Sequence, residues 1–297
     1  MAWTEEQLRA ALEAWKEHLG NDGRTPATIA TYVRDARAFV AYLAGGSRAG
    51  RGRTATPGAR SRTPVPGPGT RSPELIPVPD ELRRLCHAWT HAGSPSQRGT
   101  AWPRDRWIAA FPEHADVYER LPKRLDRDVV RTVASNAHSG PTEAVVAFVA
   151  TMTWGFGSVG YGPHRVRRVL ETTPTAPVLL HAVARTLAAD GPLAAYARLA
   201  RDCRLKFLGP AFGTKYLAFC QPSGQPLVAL IHDELVSAWL ARNGRPDLES
   251  SSWSVPTYAA YLAQLHAWAT DLGCSAETVE YLIFQAEADE RGNQWSE

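Results

Sequence analysis

The 297-residue chain is 44% hydrophobic, enough to bury the core of one large domain or two smaller ones, which excludes a wholly disordered protein. Its formal net charge of +3 is too small for a uniformly basic surface, so any affinity for a polyanion must come from local patches. The four scattered cysteines form no CxxC pair, and no apolar run approaches the ~20 residues of a membrane span, so we expect a cytoplasmic protein without a zinc site, disulfides or membrane contact.

Residues 1–44 are predicted to form a small helical arm. Leu8, Leu12 and Trp15 recur at helical spacing, and Thr25 followed by Pro26 starts a second helix. The run from residue 25 to residue 39 resembles the N-terminal, SAM-like core-binding arm of tyrosine recombinases. That resemblance implies an additional DNA contact, whereas docking of a protein partner fits the same pattern equally well.

Residues 45–73 are predicted to be a linker rich in Arg, Gly and Pro. The segment holds six arginines and no acidic residue, and it lacks apolar periodicity. Such a composition cannot bury enough apolar surface to fold, so we expect a disordered tether. Its arginines could also contact phosphates.

Residues 74–297 are predicted to form a mainly α-helical domain. Helical periodicity and start signals indicate helices over 79–92, 113–121, 141–153, 163–171, 176–189, 191–205, 233–243, 257–272 and 276–290. Short strands are expected only at 75–78, 154–161 or 226–231. The basic cluster from Arg120 to Arg131 is interleaved with acidic residues, which predicts a solvated helix face.

A glycine-rich segment runs from Trp154 to Pro163. It contains a GxGxxG pattern, but no βαβ unit surrounds it, so a dinucleotide site is not expected. The glycines favour close approach of the backbone to a ligand, with Trp154 and Phe156 as walls of a base pocket. Arg165 and Arg168 follow directly and are candidates for phosphate binding.

A second glycine-containing segment lies between two predicted helical stretches. Gly209 and Gly213 bracket Pro210, which predicts a tight hairpin from residue 209 to residue 213. Backbone N–H groups of such a hairpin, together with the start of the next helix, can bind an anion. The candidates for DNA-phosphate binding here are Gly209, Ala211, Gly213 and Thr214.

Lys215 and Asp233 are the candidate catalytic residues. Lys215 follows the hairpin, in what the spacing predicts to be the first turn of the next helix, where the helix dipole favours a neutral amine. A neutral lysine can attack a sugar carbon and form a Schiff base. Asp233 lies 18 residues later, after an apolar run, and could stabilise positive charge on the sugar.

The segments 154–165, 207–219 and 229–236 resemble a bacterial family described as 8-oxoguanine DNA glycosylase-like, within the helix-hairpin-helix DNA glycosylase superfamily. The resemblance covers about residues 75–295 and implies the helix-hairpin-helix glycosylase fold. It places Lys215 at the position of the nucleophile and Asp233 at that of the catalytic carboxylate.

The same resemblance implies a base pocket. The terminal helix places Phe284 where a phenylalanine stacks on the flipped base, and Glu280 where a polar residue contacts the base edge. Phe219, one turn after Lys215, matches the residue that covers the other face. The chain departs from the family at Ala211, where many hairpins have glycine, and at Glu280, where the eukaryotic enzymes have glutamine. No resident cofactor is expected, although the hairpin could hold a monovalent cation.

The prediction is a DNA glycosylase that flips a damaged or modified base, first of all an 8-oxoguanine-like purine, out of double-stranded DNA and excises it. Lyase activity through a lysine Schiff base would accompany excision if that intermediate persists. Two alternatives stay open at this point. One is an antiphage defence glycosylase that removes modified bases, such as glucosylated hydroxymethylcytosine, from invading DNA. The other is a non-catalytic DNA-binding clamp.

Overall fold

The computed structural model describes residues 75–292. The arm over 1–44 and the linker over 45–73 lie outside this range, and the division of the chain into three segments stays a prediction. Residues 75–292 are mainly helical, which confirms the predicted fold class. None of the helices in this range is long and apolar enough to cross a membrane.

Eleven α-helices and one pair of two-residue strands make up residues 75–292. The helices are α1 (Asp80–His91), α2 (Arg104–Ala110), α3 (Ala115–Arg120), α4 (Arg127–Ala134), α5 (Pro141–Phe156), α6 (Gly162–Thr172), α7 (Ala176–Ala200), α8 (Pro210–Cys220), α9 (Glu234–Arg242), α10 (Val255–Leu272) and α11 (Ala276–Glu290). The strands β1 (Thr100–Ala101) and β2 (Arg124–Leu125) pair antiparallel, with Thr100 opposite Leu125. A 3₁₀ turn, Pro112–His114, precedes α3.

The helix α5 is the centre of the domain and packs against α4, α7 and α8. It is apolar on every side, as expected for a helix surrounded by others. The prediction of strand over 154–161 is wrong, because α5 continues through Trp154 to Phe156 and ends at Gly157. Gly157 has φ of 53°, a left-handed conformation that glycine adopts without steric cost.

Most helices begin within a few residues of their predicted start, at a capping side chain or a proline. The side chains of Asp233, Ser254 and Ser275 each accept a hydrogen bond from a backbone N–H three residues later. Helix α2 was not predicted, and α4 overlaps only the end of the helix face predicted from Arg120 to Arg131, because both helices are short and begin among charged residues. No strand forms over 75–78 or 226–231.

The hairpin connects α7 to α8, and its position differs from the prediction. The connecting segment covers residues 201–209, and α8 begins directly at Pro210, so Gly213 lies inside the helix. Glycine at 213 serves packing instead of a turn, since a Cβ there would lie 2.3 Å from Cη2 of Trp253. The residue of the segment with a left-handed backbone is Phe207, at φ of 67°.

Candidate active site

A cavity of about 250 Å³ opens between α8, the start of α9, α11 and the end of α5. It lies just below the range of ~300–1,000 Å³ typical of sites for drug-sized ligands, which suits one nucleobase. Six of the sequence-predicted site residues line it: Trp154, Ala211, Lys215, Asp233, Glu280 and Phe284. Gln97, Arg127, Gly155 and Phe212 line it as well.

Lys215 and Asp233 form an ion pair at this cavity. The Nζ atom of Lys215 donates a hydrogen bond of 2.9 Å to Oδ2 of Asp233. The other carboxylate oxygen, Oδ1, accepts from the backbone N–H of Val236, because Asp233 is the N-cap of α9. Both side chains are largely buried, with 10% and 14% of their surfaces exposed. The helix start therefore fixes the carboxylate and leaves the amine reachable from the cavity.

The environment of Asp233 keeps its carboxyl group charged. Burial by itself would raise the pKa of Asp233, but the charge and hydrogen bond of Lys215, the N–H of Val236 and the neighbouring His232 together hold it below its ordinary value. A carboxylate that stays ionised in a largely buried site can stabilise a cation that develops beside it.

The position of Lys215 in α8 differs from the sequence prediction. Since α8 starts at Pro210, Lys215 is its sixth residue and lies in the second turn instead of the first. Its aliphatic chain packs against α5, where a Cβ on Gly155 would lie 3.2 Å from Cδ of Lys215 and 3.1 Å from the ring of Phe212. Glycine at 155 thus allows the close approach that brings Lys215 to the cavity.

A second ion pair, between Arg127 and Glu280, lines the same cavity. The guanidinium donates two hydrogen bonds to the Glu280 carboxylate, at 3.2 and 2.8 Å, and a third, from Nε, to the side chain of Gln97 at 2.7 Å. Glu280 is only 1% exposed and also accepts from the N–H of Ile231. Burial alone would lower the pKa of Arg127, but the charge and hydrogen bonds of the adjacent carboxylate raise it above its ordinary value, so the guanidinium stays charged.

Arg127 is a site residue that the sequence analysis missed. The prediction of a solvated basic face from Arg120 to Arg131 is wrong at Arg127, which turns inward, whereas Arg131 stays one-third exposed and pairs with Glu277 and Asp128. The sequence carries one sign of this, since Glu277 and Glu280 are spaced as neighbours on one helix face. Their partners lie about 150 residues earlier in the chain, which no local pattern reveals.

The aromatic residues are arranged differently from the expected base sandwich. Trp154 and Phe284 line the cavity, whereas Phe219 is fully buried behind Trp154, with ring centroids 5.0 Å apart. Phe156 also lies away from the cavity and stacks on Phe212 at 4.5 Å. The guanidinium of Arg127 lies 5.5 Å from the centre of the Trp154 ring. Of these two residues predicted for the base pocket, Trp154 lines the cavity and Phe219 does not.

The four hairpin residues proposed for phosphate binding do not share one environment. Gly209 is exposed and Ala211 borders the cavity, but Gly213 and Thr214 are buried. The Thr214 hydroxyl faces inward, where it donates to the carbonyl of Ala211 and accepts from the N–H of His232. Because the N–H of Gly213 bonds the carbonyl of Gly209, the N–H groups of Ala211 and Phe212 are the ones left at the helix start.

Arg165 and Arg168 are exposed on α6, and each guanidinium lies against an aromatic ring, of Tyr161 and Phe207 respectively. Arg168 therefore lies beside the segment that precedes α8, and neither arginine lines the cavity, so phosphate binding by the two stays a prediction. Among residues 75–292, no group of three or more His, Cys, Asp or Glu side chains could hold a metal ion. The monovalent cation at the hairpin stays a prediction.

A mainly helical domain that presents a lysine–aspartate pair at a cavity agrees with the family resemblance seen in the sequence. A family model described as "Putative 8-oxoguanine DNA glycosylase OGG-like protein" matches residues 93–284, and the chain belongs to this family. Membership indicates a DNA glycosylase that binds DNA and acts in DNA repair. Neither the curated proteins nor the solved structures contain a match to the chain.

Proposed function

We propose that the protein excises an 8-oxoguanine-like purine from double-stranded DNA, with Lys215 as nucleophile and Asp233 as the carboxylate that stabilises the sugar cation. The observation that carries this proposal is the 2.9 Å contact between the two side chains at a cavity of base size. A base inside a duplex stack is out of reach of these groups, so the target nucleotide has to flip into the cavity.

The ion pair suggests how protons move in the reaction. Lys215 must give up a proton before its lone pair can attack C1′ of the sugar. Asp233 is a poor acceptor for that proton, since its pKa is held low. The departing base, which takes the electrons of the glycosidic bond, is the better acceptor. The products are then a neutral free base and a Lys215–C1′ adduct, from which a Schiff base and β-elimination can follow.

Arg127 supports a preference for bases that present hydrogen-bond acceptors. With Glu280 engaged by Arg127 and Ile231, the carboxylate has less capacity for a donor-rich base edge. The guanidinium uses three of its five N–H donors on Gln97 and Glu280 and retains two. Arginine donors pair well with acceptors on guanine-type bases. In 8-oxoguanine N7 carries a proton and donates, so the acceptors that remain for the two N–H groups are the carbonyl oxygens O6 and O8.

One observation favours a second candidate, removal of bulky modified bases from invading DNA. A further cavity, of about 260 Å³, adjoins the first and shares Gln97 and Arg127 as lining residues. Its other lining residues include Asp126, Asp128 and Arg131, which could bind hydroxyl groups of a base adduct. The chemistry at Lys215 would be unchanged.

A panel of duplexes tests both candidates. The purified protein is incubated with duplexes that carry 8-oxoguanine, uracil, an alkylated base or glucosylated hydroxymethylcytosine, with and without borohydride. The proposal predicts release of 8-oxoguanine and a trapped adduct. Release of the glucosylated base alone would support the second candidate, and binding without any release would support the clamp. Asp233→Asn should slow release by about 10²-fold or more while duplex binding is retained.

A further inference from the structure

The outer side of the hairpin presents an aromatic ring to solvent. Along residues 203–208, the side chains of Cys203, Leu205 and Leu208 are buried, while Lys206 and Phe207 point outward. Phe207 is 45% exposed, which makes it one of the few large apolar side chains on the surface of residues 75–292. Nothing in the cavity chemistry uses this ring.

The backbone of Phe207 is in an unfavourable conformation that keeps the ring outside. Its φ of 67° lies in the left-handed region, which is costly for a residue with a bulky side chain. Glycine would adopt this conformation without steric cost. Strained conformations of this kind persist mainly at functional positions, so an exposed phenylalanine here calls for a role.

Cations surround the ring. The Arg168 guanidinium lies 3.8 Å from the ring centre, and the Lys206 ammonium lies 5.3 Å from it. Arg204, in the same segment, lies over the Trp253 ring. Within residues 75–292 none of these three cations forms an ion pair. The nearest acidic neighbours in sequence are Glu171, which pairs with Arg167, and Asp202.

This surface continues to the start of α8. Phe207 precedes Gly209 by two residues, and the N–H groups of Ala211 and Phe212 follow at the helix start beside the cavity. The ring thus belongs to a residue four positions before Ala211, which lines the cavity where a flipped nucleotide would lie. A basic surface with an exposed aromatic ring is the combination that binds unpaired nucleotides, because phosphates meet the cations and a base stacks on the ring.

We propose that Phe207, backed by Arg168, is a stacking platform for an unpaired base in the DNA that this protein binds. A paired base inside a duplex has both faces covered by its neighbours, so only a base that has lost its partner or its stack can use the platform. The guanidinium of Arg168, which lies on the Phe207 ring, is a second flat group on which a base can stack, since arginine also stacks on bases. The inference needs DNA binding and goes beyond the proposed base excision, because neither Lys215 nor catalysis takes part.

Binding measurements with the full chain test the platform. We would titrate the protein into an intact duplex and into the same duplex with one unpaired 2-aminopurine, following anisotropy and 2-aminopurine fluorescence. The wild type should bind the second duplex about tenfold more tightly and quench its fluorescence. Phe207→Ala should lose both effects and bind the intact duplex as before, whereas Phe207→Trp should retain them.

Two further variants separate stacking from a structural role. Phe207→Gly relieves the left-handed strain, so its melting temperature should be equal to or above that of Phe207→Ala while the preference for the unpaired base is still lost. Arg168→Gln should weaken binding to both duplexes and lower the salt dependence. A preference that persists in Phe207→Ala, or loss of the preference only together with loss of folding, would overturn the proposal. Binding with quenching but no base release would support the platform and count only against excision.

Discussion

Two buried ion pairs line the same cavity, and they differ in how the chain supports them. Asp233 caps the start of α9 and 14% of its side chain is exposed, so solvent and the N–H of Val236 can still stabilise the carboxylate if the lysine is lost. Glu280 lies inside α11 with 1% of its side chain exposed, so without Arg127 it would have the N–H of Ile231 but no solvent to replace the guanidinium. The first pair can therefore be opened by a reacting substrate, while the second pair fixes α4 to α11 and shapes the pocket.

The largest effect is expected at the first pair and concerns rate, not stability. Lys215→Ala removes the nucleophile and should lower single-turnover base release by at least about 10³-fold. The free energy of unfolding should change much less, because the N–H of Val236 still binds Asp233. Lys123→Ala, an exposed lysine, is the matched control and should keep the wild-type rate. Equal loss of base release in Lys215→Ala and Lys123→Ala would contradict the catalytic role of Lys215.

The second pair should behave in the opposite way. Arg127→Met leaves a buried carboxylate without a counter-charge and should lower the free energy of unfolding by about 3–5 kcal/mol in urea titrations. The double variant Arg127→Met/Glu280→Leu removes both charges and should recover most of that loss. If the double variant were as unstable as the single one, the cost would come from packing and not from the orphaned charge.

Acid should destabilise the protein through His232, which lies beside the first pair. Burial lowers the pKa of His232 to about 4, so the folded protein keeps this ring neutral where an unfolded chain would protonate it. Stability due to His232 is complete above its ordinary pKa of 6.5 and is lost as pH falls towards 4, by roughly 3 kcal/mol in all.

The contribution of Asp233 follows at lower pH, since its depressed pKa stabilises the fold above its ordinary value of 3.8 and is lost below it. Urea titrations at several pH values give the free energy of unfolding as a function of pH. Between pH 7 and pH 4.5 this free energy should fall with a slope that is due mainly to His232, and His232→Gln should flatten that slope. His164→Gln, at an exposed histidine, is the control and should leave the slope unchanged. If the free energy of unfolding of His232→Gln depended on pH as steeply as that of the wild type, His232 would not be the source of this pH dependence.

The smallest effect concerns the helix that carries Lys215. Gly213→Ala forces a methyl group against Trp253 and Leu199 and should cost about 1–3 kcal/mol of stability. Gly209→Ala places its methyl in open space at φ of −89°, and should change stability by less than about 0.5 kcal/mol. Similar melting temperatures for the two variants would contradict the packing role of Gly213.

The sequence predicted those features that depend on neighbours along the chain. Helix α11 has the predicted bounds, and Lys215 and Asp233 were singled out from the hairpin, the 18-residue spacing and the family resemblance. Arg127 was missed since its partner Glu280 lies 153 residues away. The burial of Phe219 behind Trp154, away from the cavity, likewise depends on how α5 packs against α8, which the periodicity of neither helix encodes.

The most direct test of the central claim is the identity of the residue that bonds to the sugar. The wild-type protein would be reacted with an 8-oxoguanine duplex under borohydride, digested, and mapped by tandem mass spectrometry. The account predicts one adduct, on Lys215, that is absent from Lys215→Ala. An adduct on Lys206 or another amine, or trapping that survives Lys215→Ala, would contradict it.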